Sequence, residues 1–201
     1  MNRPRLLVGT FNRGKIEEVR QILADSRIEV LGPEAVGVAA EPPAETGATF
    51  CENALLKARF WCEAAGLPAL ADDSGLTVDA LDGAPGIYSS RFAGPDATDR
   101  DNLRLLLDRL KSVPEPKRTA SFICCIALCR PASPPLTFNG RCQGLILSEP
   151  AGSGGFGYDP VFYYPPFGRT FAQAGREEKN RVSHRAQALA EFKNWLKNNE
   201  L

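Results

Sequence analysis

Two adjacent carboxylates stand in Ala71-Asp72-Asp73-Ser74-Gly75-Leu76, directly after the apolar run Leu67-Pro68-Ala69-Leu70. Such acids can take a proton from an attacking water or offer hard oxygen donors to a divalent cation. The run reads as a short buried strand that ends in a Gly-containing turn at the two acids, where open α/β sheets carry their chemistry. Successive strand side chains point to opposite faces, so one acid faces a site and the other braces it. Taken alone, Asp-Asp-Ser-Gly is also a turn whose carboxylates accept backbone N–H groups.

Thr10-Phe11-Asn12-Arg13-Gly14-Lys15 follows the strand-like stretch 5–10 and leads into Ile16, Val19, Ile22 and Leu23 at helical spacing. A strand, a Gly-containing turn and a helix starting at Lys15 would aim free N–H groups, the positive end of a helix dipole and an ammonium at one spot. That is a layout for phosphate, although an ordinary strand-to-helix turn shares it and the Walker spacing is absent. Glu45 lies in a loop before a strong helical pattern over 50–65 and is a candidate functional carboxylate. Glu52 reads as the partner of Thr49 in a capping box. Gly152, Gly154, Gly155 and Gly157 crowd around Phe156 and Tyr158. Glycines there allow a backbone to approach a ligand closely, and Phe156 either stacks on a planar base or packs. His184 is the single histidine; at the start of a last helix over 183–196 its ring suits a neutral, hydrogen-bonding role.

The elements that must position these groups alternate. A first strand over 5–10 is followed by the helix from Lys15, a short strand over 28–31 and a Pro-rich loop over 33–43. After the helix 50–65 and the Asp72-Asp73 turn, residues 76–81 alternate as a strand, 83–86 turn and 87–94 are irregular. Residues 99–110 form an amphipathic helix capped by Thr98 or Asp99. Residues 118–130 and 136–147 read as a hairpin across a Pro-rich turn, 162–167 as an apolar stretch broken by Pro165-Pro166. The last helix turns Leu189, Phe192 or Ala190, and Leu196 inward. Strands alternating with helices, plus a hairpin, predict an α/β fold on a mixed sheet.

At 201 residues and 43% hydrophobic content the chain can bury a proper core, with 24 Lys+Arg against 24 Asp+Glu and no net charge. No overall field would hold a polyanion, which disfavours nucleic acid as a partner. The opening Met1-Asn2-Arg3-Pro4-Arg5 carries no signal-like apolar segment, and no run reaches the ~20 apolar residues of a membrane span, so a soluble cytoplasmic protein is expected. The six cysteines (Cys51, Cys62, Cys124, Cys125, Cys129, Cys142) form no Cys-x-x-Cys pair and read as buried free thiols. Cys124 and Cys125 would face opposite sides of a strand.

Six segments occur in the order seen in one family: 10–15, 45–50 with Asn53-Ala54, 71–76, 83–91, 154–160 and Ser183-His184-Arg185. Together they resemble the non-standard purine nucleoside triphosphate pyrophosphatases, the Ham1-like inosine/xanthosine triphosphatases, over nearly the whole chain. The resemblance implies an α/β fold with a central mixed twisted sheet flanked by helices, a single domain over 1–201 of two lobes with a cleft between them, a homodimer and a need for Mg²⁺. It implies hydrolysis of ITP, dITP or XTP to the monophosphate and pyrophosphate. By the same resemblance Thr10, Phe11, Asn12, Arg13, Gly14 and Lys15 hold the triphosphate, Asp73 is the general base and, with Glu45, a metal ligand, and Ser74 touches substrate. Phe156, Gly157, Tyr158 and Asp159 form a loop beside the base, and Lys179, His184 and Arg185 complete purine recognition. Two positions depart from many relatives: Phe11 stands where glycine is common, and Ala44 where some carry a second acid.

Donors from His184 and Arg185 aimed at a 6-oxo group would be left unpaired by adenine, a mismatch worth up to ~10⁴-fold in a desolvated site. Two other readings remain open: a pyrophosphatase for damaged pyrimidine nucleotides, and a nucleotide sensor that does not hydrolyse. Three acids beside a triphosphate weigh against the sensor, because they repel it without a metal.

Overall fold

In the computed structural model, residues 3–38 and 40–201 are described; the opening Met1-Asn2 and Ala39 of the Pro-rich loop lie outside them. The chain runs β1 (Arg5–Val8), α1 (Arg13–Ile22), β2 (Glu29–Leu31), α2 (Phe50–Ala65), β3 (Ala69–Val78), α3 (Asp99–Leu110), β4 (Thr119–Cys129), β5 (Leu136–Ile146), β6 (Phe162–Tyr164), β7 (Arg169–Thr170), α4 (Arg176–Val182) and α5 (His184–Leu196). Seven strands form one sheet in the order β2-β1-β3-β4-β5-β6-β7. β1 is parallel to both β2 and β3, whereas β5–β6 and β6–β7 are antiparallel, so the sheet is mixed as expected.

Two compact units share these elements. One comprises residues up to Asp73, Cys124–Asn139 and Gln187–Leu201; the other comprises Ser74–Ile123 and Gly140–Ala186. In the first unit, the period-2 alternation of strands decides everything about layers. Leu6, Val8, Leu70, Cys124, Ile126 and Leu128 pack with Ile16 and Val19 of α1 and with Ala188, Leu189 and Phe192 of α5. Leu7, Ala69, Ala71, Cys125 and Ala127 pack instead with Ala54, Ala58, Trp61 and Cys62 of α2. Each strand therefore feeds two apolar layers. In the second unit Leu76, Val78, Leu106, Leu110, Phe122, Cys142, Ile146, Phe162 and Phe171 make one core.

Several expectations are corrected. There is no turn at Asp72-Asp73: β3 runs unbroken from Ala69 through Ser74 and Gly75 to Val78. Polar residues sit in this strand because each acid has a lysine partner, described below. The strand ends at Val78, and 79–81 are a 3₁₀ turn rather than its continuation. α1 starts at Arg13, with Asn12 as its cap, not at Lys15. Thr49 caps α2 through Glu52 N–H, but the Glu52 carboxylate accepts from Ala48 N–H, so the expected reciprocal bond to Thr49 is not the one formed. α4 was not expected. Its sequence, Arg-Glu-Glu-Lys-Asn-Arg-Val, has no apolar stripe, and its start is held by Glu178, which accepts from Gly175 N–H and pairs with Arg169.

The thiol expectation is also corrected. Cys51 of α2 and Cys125 of β4 form a disulfide with a Cα–Cα distance of 5.1 Å, while Cys62, Cys124, Cys129 and Cys142 are free and buried. Cys125 lies on the face of β4 that α2 covers, and Cys51 begins that helix. Spacing in the sequence says nothing of this pairing. Among the described residues no helix is long and apolar enough to cross a membrane.

Candidate active site

The two-layer logic of the first unit assigns each acid of β3 its partner. Asp72 follows Leu70 by two positions and shares the layer of α1, so it meets Lys15: Nζ lies 2.9 and 3.0 Å from its two carboxylate oxygens. Asp73 follows Ala71 by two and shares the layer of α2, where it meets Asn53 and Lys57. One acid braces a lysine while its neighbour takes part in a separate polar cluster, as strand alternation requires.

That cluster is built around Lys57. Its Nζ donates to Glu45 Oε1 at 2.8 Å and to Asp73 Oδ1 at 2.9 Å. Asn53 is fully buried; its Oδ1 accepts Gly47 N–H at 2.8 Å, which turns the amide nitrogen toward Asp73 Oδ2 at 3.3 Å. Gly47 is needed for this approach, because a Cβ there would lie 2.7 Å from Asn53 Oδ1. Burial pushes the Asp73 carboxyl above its ordinary range; Lys57 pulls it down, Glu45 adds to the rise, and Asn53 pulls down again. Burial likewise opposes the charged form of Lys57, yet Asp73 and Glu45 outweigh it and hold the ammonium above its usual value. The asymmetry has a simple cause. The second carboxylate favours the ammonium and disfavours its fellow carboxylate.

Among the described residues no three His, Cys, Asp or Glu side chains are grouped closely enough to hold a metal ion by themselves. Glu45 and Asp73, two hard oxygen donors on one lysine, suit an ion of the Mg²⁺ type, which binds through one or two carboxylates and completes its shell with phosphate oxygens and water.

The segment expected to hold phosphate is tightly self-organised. Thr10 Oγ1 accepts Asn12 N–H at 3.1 Å, and Asn12 Oδ1 accepts Lys15 N–H at 3.2 Å, capping α1. Gly14 lies in the first turn of α1. Phe11 is about half exposed and stands edge-on to Trp61, with ring centroids 5.6 Å apart. The Arg13 guanidinium is exposed, 3.7 Å from Glu34.

The second unit gathers the remaining candidates. Ser74, Phe156, Gly157, Tyr158, Asp159, Lys179, His184 and Arg185 all line one cavity of about 140 Å³. This is the scale of the ~150 Å³ cavity that holds a benzene molecule. Arg185 donates from Nη2 to Ser74 Oγ at 3.2 Å. His184 is buried and stacks on Phe122, centroids 5.0 Å apart and planes within 13°. Lys179 Nζ lies 2.5 Å from Asp159 Oδ2 and 4.6 Å from the Phe156 ring centroid. Phe156 is 62% exposed, which leaves its ring open to a planar partner. Tyr158 is instead buried, its hydroxyl donating to Ser89 O at 2.9 Å, and burial pushes its pKa well above the ordinary phenol value.

Sequence reasoning missed Lys57, the role of Asn53, and the cavity residues Ser89, Asp99, Asn102 and Phe122. Asn53 and Lys57 had a signal: four apart on α2, they share a face. Ser89 lies in the segment 83–91 that carries the resemblance, whereas Phe122 had no such signal and reaches the cavity only through tertiary packing.

A family model described as the Ham1 family matches residues 6–195. A dITP/XTP pyrophosphatase from Yersinia pseudotuberculosis serotype I (strain IP32953) is 52% identical over 187 residues, covering 92% of this chain and 94% of the relative. A dITP/XTP pyrophosphatase from Escherichia coli (strain K12) is 47% identical over 196 residues, 96% of this chain and 98% of the relative. The solved structure of a HAM1 protein from Coxiella burnetii superposes with a TM-score of 0.91 at 42% identity, covering 98% of this chain and 100% of that one.

Proposed function

The chain belongs to the Ham1 family, and on that premise we propose that it hydrolyses dITP, ITP and XTP to the nucleoside monophosphate and pyrophosphate, removing deaminated purines from the nucleotide pool. The observation that carries the reading is that each acid of the pair on β3 has its own lysine, Asp72 with Lys15 and Asp73 with Lys57. Two adjacent acids paired with lysines from two different helices, one of them with its carboxyl raised by burial, form the kind of perturbed charge cluster that gathers at catalytic sites.

In this reading the first unit handles the triphosphate. Lys15, held by Asp72, and the N-terminus of α1 carry the negative charge that develops on the leaving pyrophosphate, with Thr10, Phe11, Asn12, Arg13 and Gly14 shaping the approach. Glu45 and Asp73 would hold Mg²⁺, which would supply neutralisation of phosphate charge. Asp73 also accepts the proton of the water whose oxygen attacks the α-phosphorus. The new P–O bond forms as the bond to the bridging oxygen breaks, and pyrophosphate leaves with that electron pair. A base with a raised pKa holds such a proton better than an ordinary carboxylate. Lys57 and Asn53 aim Asp73.

The second unit handles the purine. Phe156 stacks on the base, Ser74, Gly157, Tyr158, Asp159 and Lys179 shape the cavity, and His184 with Arg185 favours an acceptor at the 6-position. The protein acts in the cytoplasm as a homodimer on a free nucleotide, not on nucleic acid or a membrane.

Pyrophosphate release from dITP, ITP, XTP, GTP and ATP, each with and without Mg²⁺, tests the reading. Metal-dependent release with the deaminated purines far ahead supports it; inactivity on all five, or equal rates, rules it out.

A further inference from the structure

Two walls of the base cavity come from the 3₁₀ segment around Ser89 and Ser90 and from the glycine-rich loop at Phe156 and Gly157, and neither belongs to a long helix or strand. What holds them is the first turn of α3. Asp99 Oδ2 accepts Gly157 N–H at 2.8 Å. One turn on, Asn102 is 2% exposed; its Oδ1 accepts Ala93 N–H at 2.8 Å and its Nδ2 donates to Ser90 O at 3.0 Å. Residues three apart on a helix share a face, so one turn reaches both walls. Both side chains also line the cavity itself.

We propose that Asp99 and Asn102 are positioning residues that set the separation of the two cavity walls and thereby the register of the base; this rests on the purine reading of that cavity. The consequence falls on Phe156. Its own N–H is held by Asp159 Oδ2 at 3.0 Å and the next N–H by Asp99, so two carboxylates grip successive amides on either side of an exposed ring. Gly157 has φ of +59°, a conformation with little strain only for glycine, so the grip on its N–H has to hold a backbone that no side chain pins. Asp99 contributes an ionised acceptor, the stronger kind of hydrogen bond. Asn102 contributes an acceptor and a donor from two separate atoms of one uncharged side chain.

Discrimination by hydrogen-bond sign works only if the base is fixed against the groups that read it. Loosening the Phe156 loop should therefore cost the 6-oxo purine more than adenine, which never gained the full set of bonds. Asp99 and Asn102 belong to neither the Lys15–Asp72 nor the Lys57–Asp73 pair assigned to the triphosphate, so turnover at saturation should be spared.

The test compares Asp99→Ala, Asp99→Asn and Asn102→Asp in the full chain. Amide hydrogen exchange over 152–158 is read without nucleotide. The proposal expects faster exchange in Asp99→Ala and a return toward wild type in Asp99→Asn, which keeps an acceptor oxygen. With ITP and ATP, Asp99→Ala should raise KM for ITP about tenfold, the loss of one charge-assisted hydrogen bond. kcat should stay within about threefold, and the ITP/ATP ratio of kcat/KM should fall. Asn102→Asp, which keeps the acceptor but loses the donor, should lower the same ratio. Unchanged exchange in Asp99→Ala, or kcat falling as much as kcat/KM with the ratio constant, would overturn the proposal. A wild-type protein inert toward ITP would defeat the purine reading instead, and the exchange arm would still decide whether Asp99 holds the loop.

Discussion

Lys57 Nζ lies 2.9 Å from Asp73 Oδ1 while also bonding Glu45, which makes one ammonium the hinge between the acid of β3 and the acid of the loop before α2. Asp73 is buried and Glu45 partly so, and the shared ammonium offsets the cost of placing their charges there, since an unpaired buried charge costs several kcal/mol. Replacing Lys57 with methionine keeps the stem and deletes the charge. Pyrophosphate release should fall by ~10²-fold or more, the usual effect of removing a preorganised charge from a phosphoryl-transfer site. Arginine at this position should rescue little, because its larger planar fork cannot place its donors where the compact ammonium sits between Glu45 and Asp73.

Asp73→Asn tests the base directly. It is nearly isosteric but cannot accept a proton, so turnover should drop by ~10²–10⁴-fold, measured as pyrophosphate release under saturating ITP. Binding of ITP, followed by equilibrium dialysis, should survive. Near-normal turnover would remove Asp73 from the role.

The first turn of α3 should show its capping in a pH profile. Asp101 accepts from Thr98, through the hydroxyl and the backbone N–H, and these bonds hold its carboxyl below the ordinary value of 3.8. A folded-state pKa lowered in this way gives stability that is present above the unfolded value and lost as pH falls through the folded one. Asp101→Ala should therefore melt at a lower temperature than wild type at pH 7, with the gap closing below about pH 4. A gap independent of pH would locate the effect elsewhere.

Gly9 closes β1 immediately before the phosphate segment, and its N–H donates to Leu70 O at 2.8 Å. A Cβ there would lie 2.2 Å from Trp61 Cδ1, and Trp61 is fully buried. Gly9→Ala must displace that ring, so urea unfolding should show a loss of about 1–3 kcal/mol. A loss below 0.5 kcal/mol would mean the ring moves freely.

The Cys51–Cys125 bond is checked by counting thiols. Denatured without reductant, the protein should take up four equivalents of iodoacetamide, at Cys62, Cys124, Cys129 and Cys142, and six after reduction. Six without reductant would mean the pair is held as thiols, the state that a reducing cytoplasm favours.

The order of elements could be read from residue types alone. Helices α2 and α3 match their expected bounds, 50–65 and 99–110, because an apolar stripe, a threonine cap and a following breaker are all local signals. So could much of the content of the cavity: Ser74 and the seven residues named for the base from their motifs all line it. Local signals failed where long-range charge decided. Asp-Asp-Ser-Gly looks like a turn because nothing nearby in sequence neutralises two acids, and only Lys15 and Lys57, brought in by helices on opposite faces of the sheet, let the strand continue. α4 lacked an apolar stripe to read and is held by a cap and an ion pair. The sequence by itself determined which residues alternate and where the helices with an apolar stripe form. The tertiary structure decided which lysine each aspartate meets, since a strand's two faces are equivalent until a particular helix covers each one.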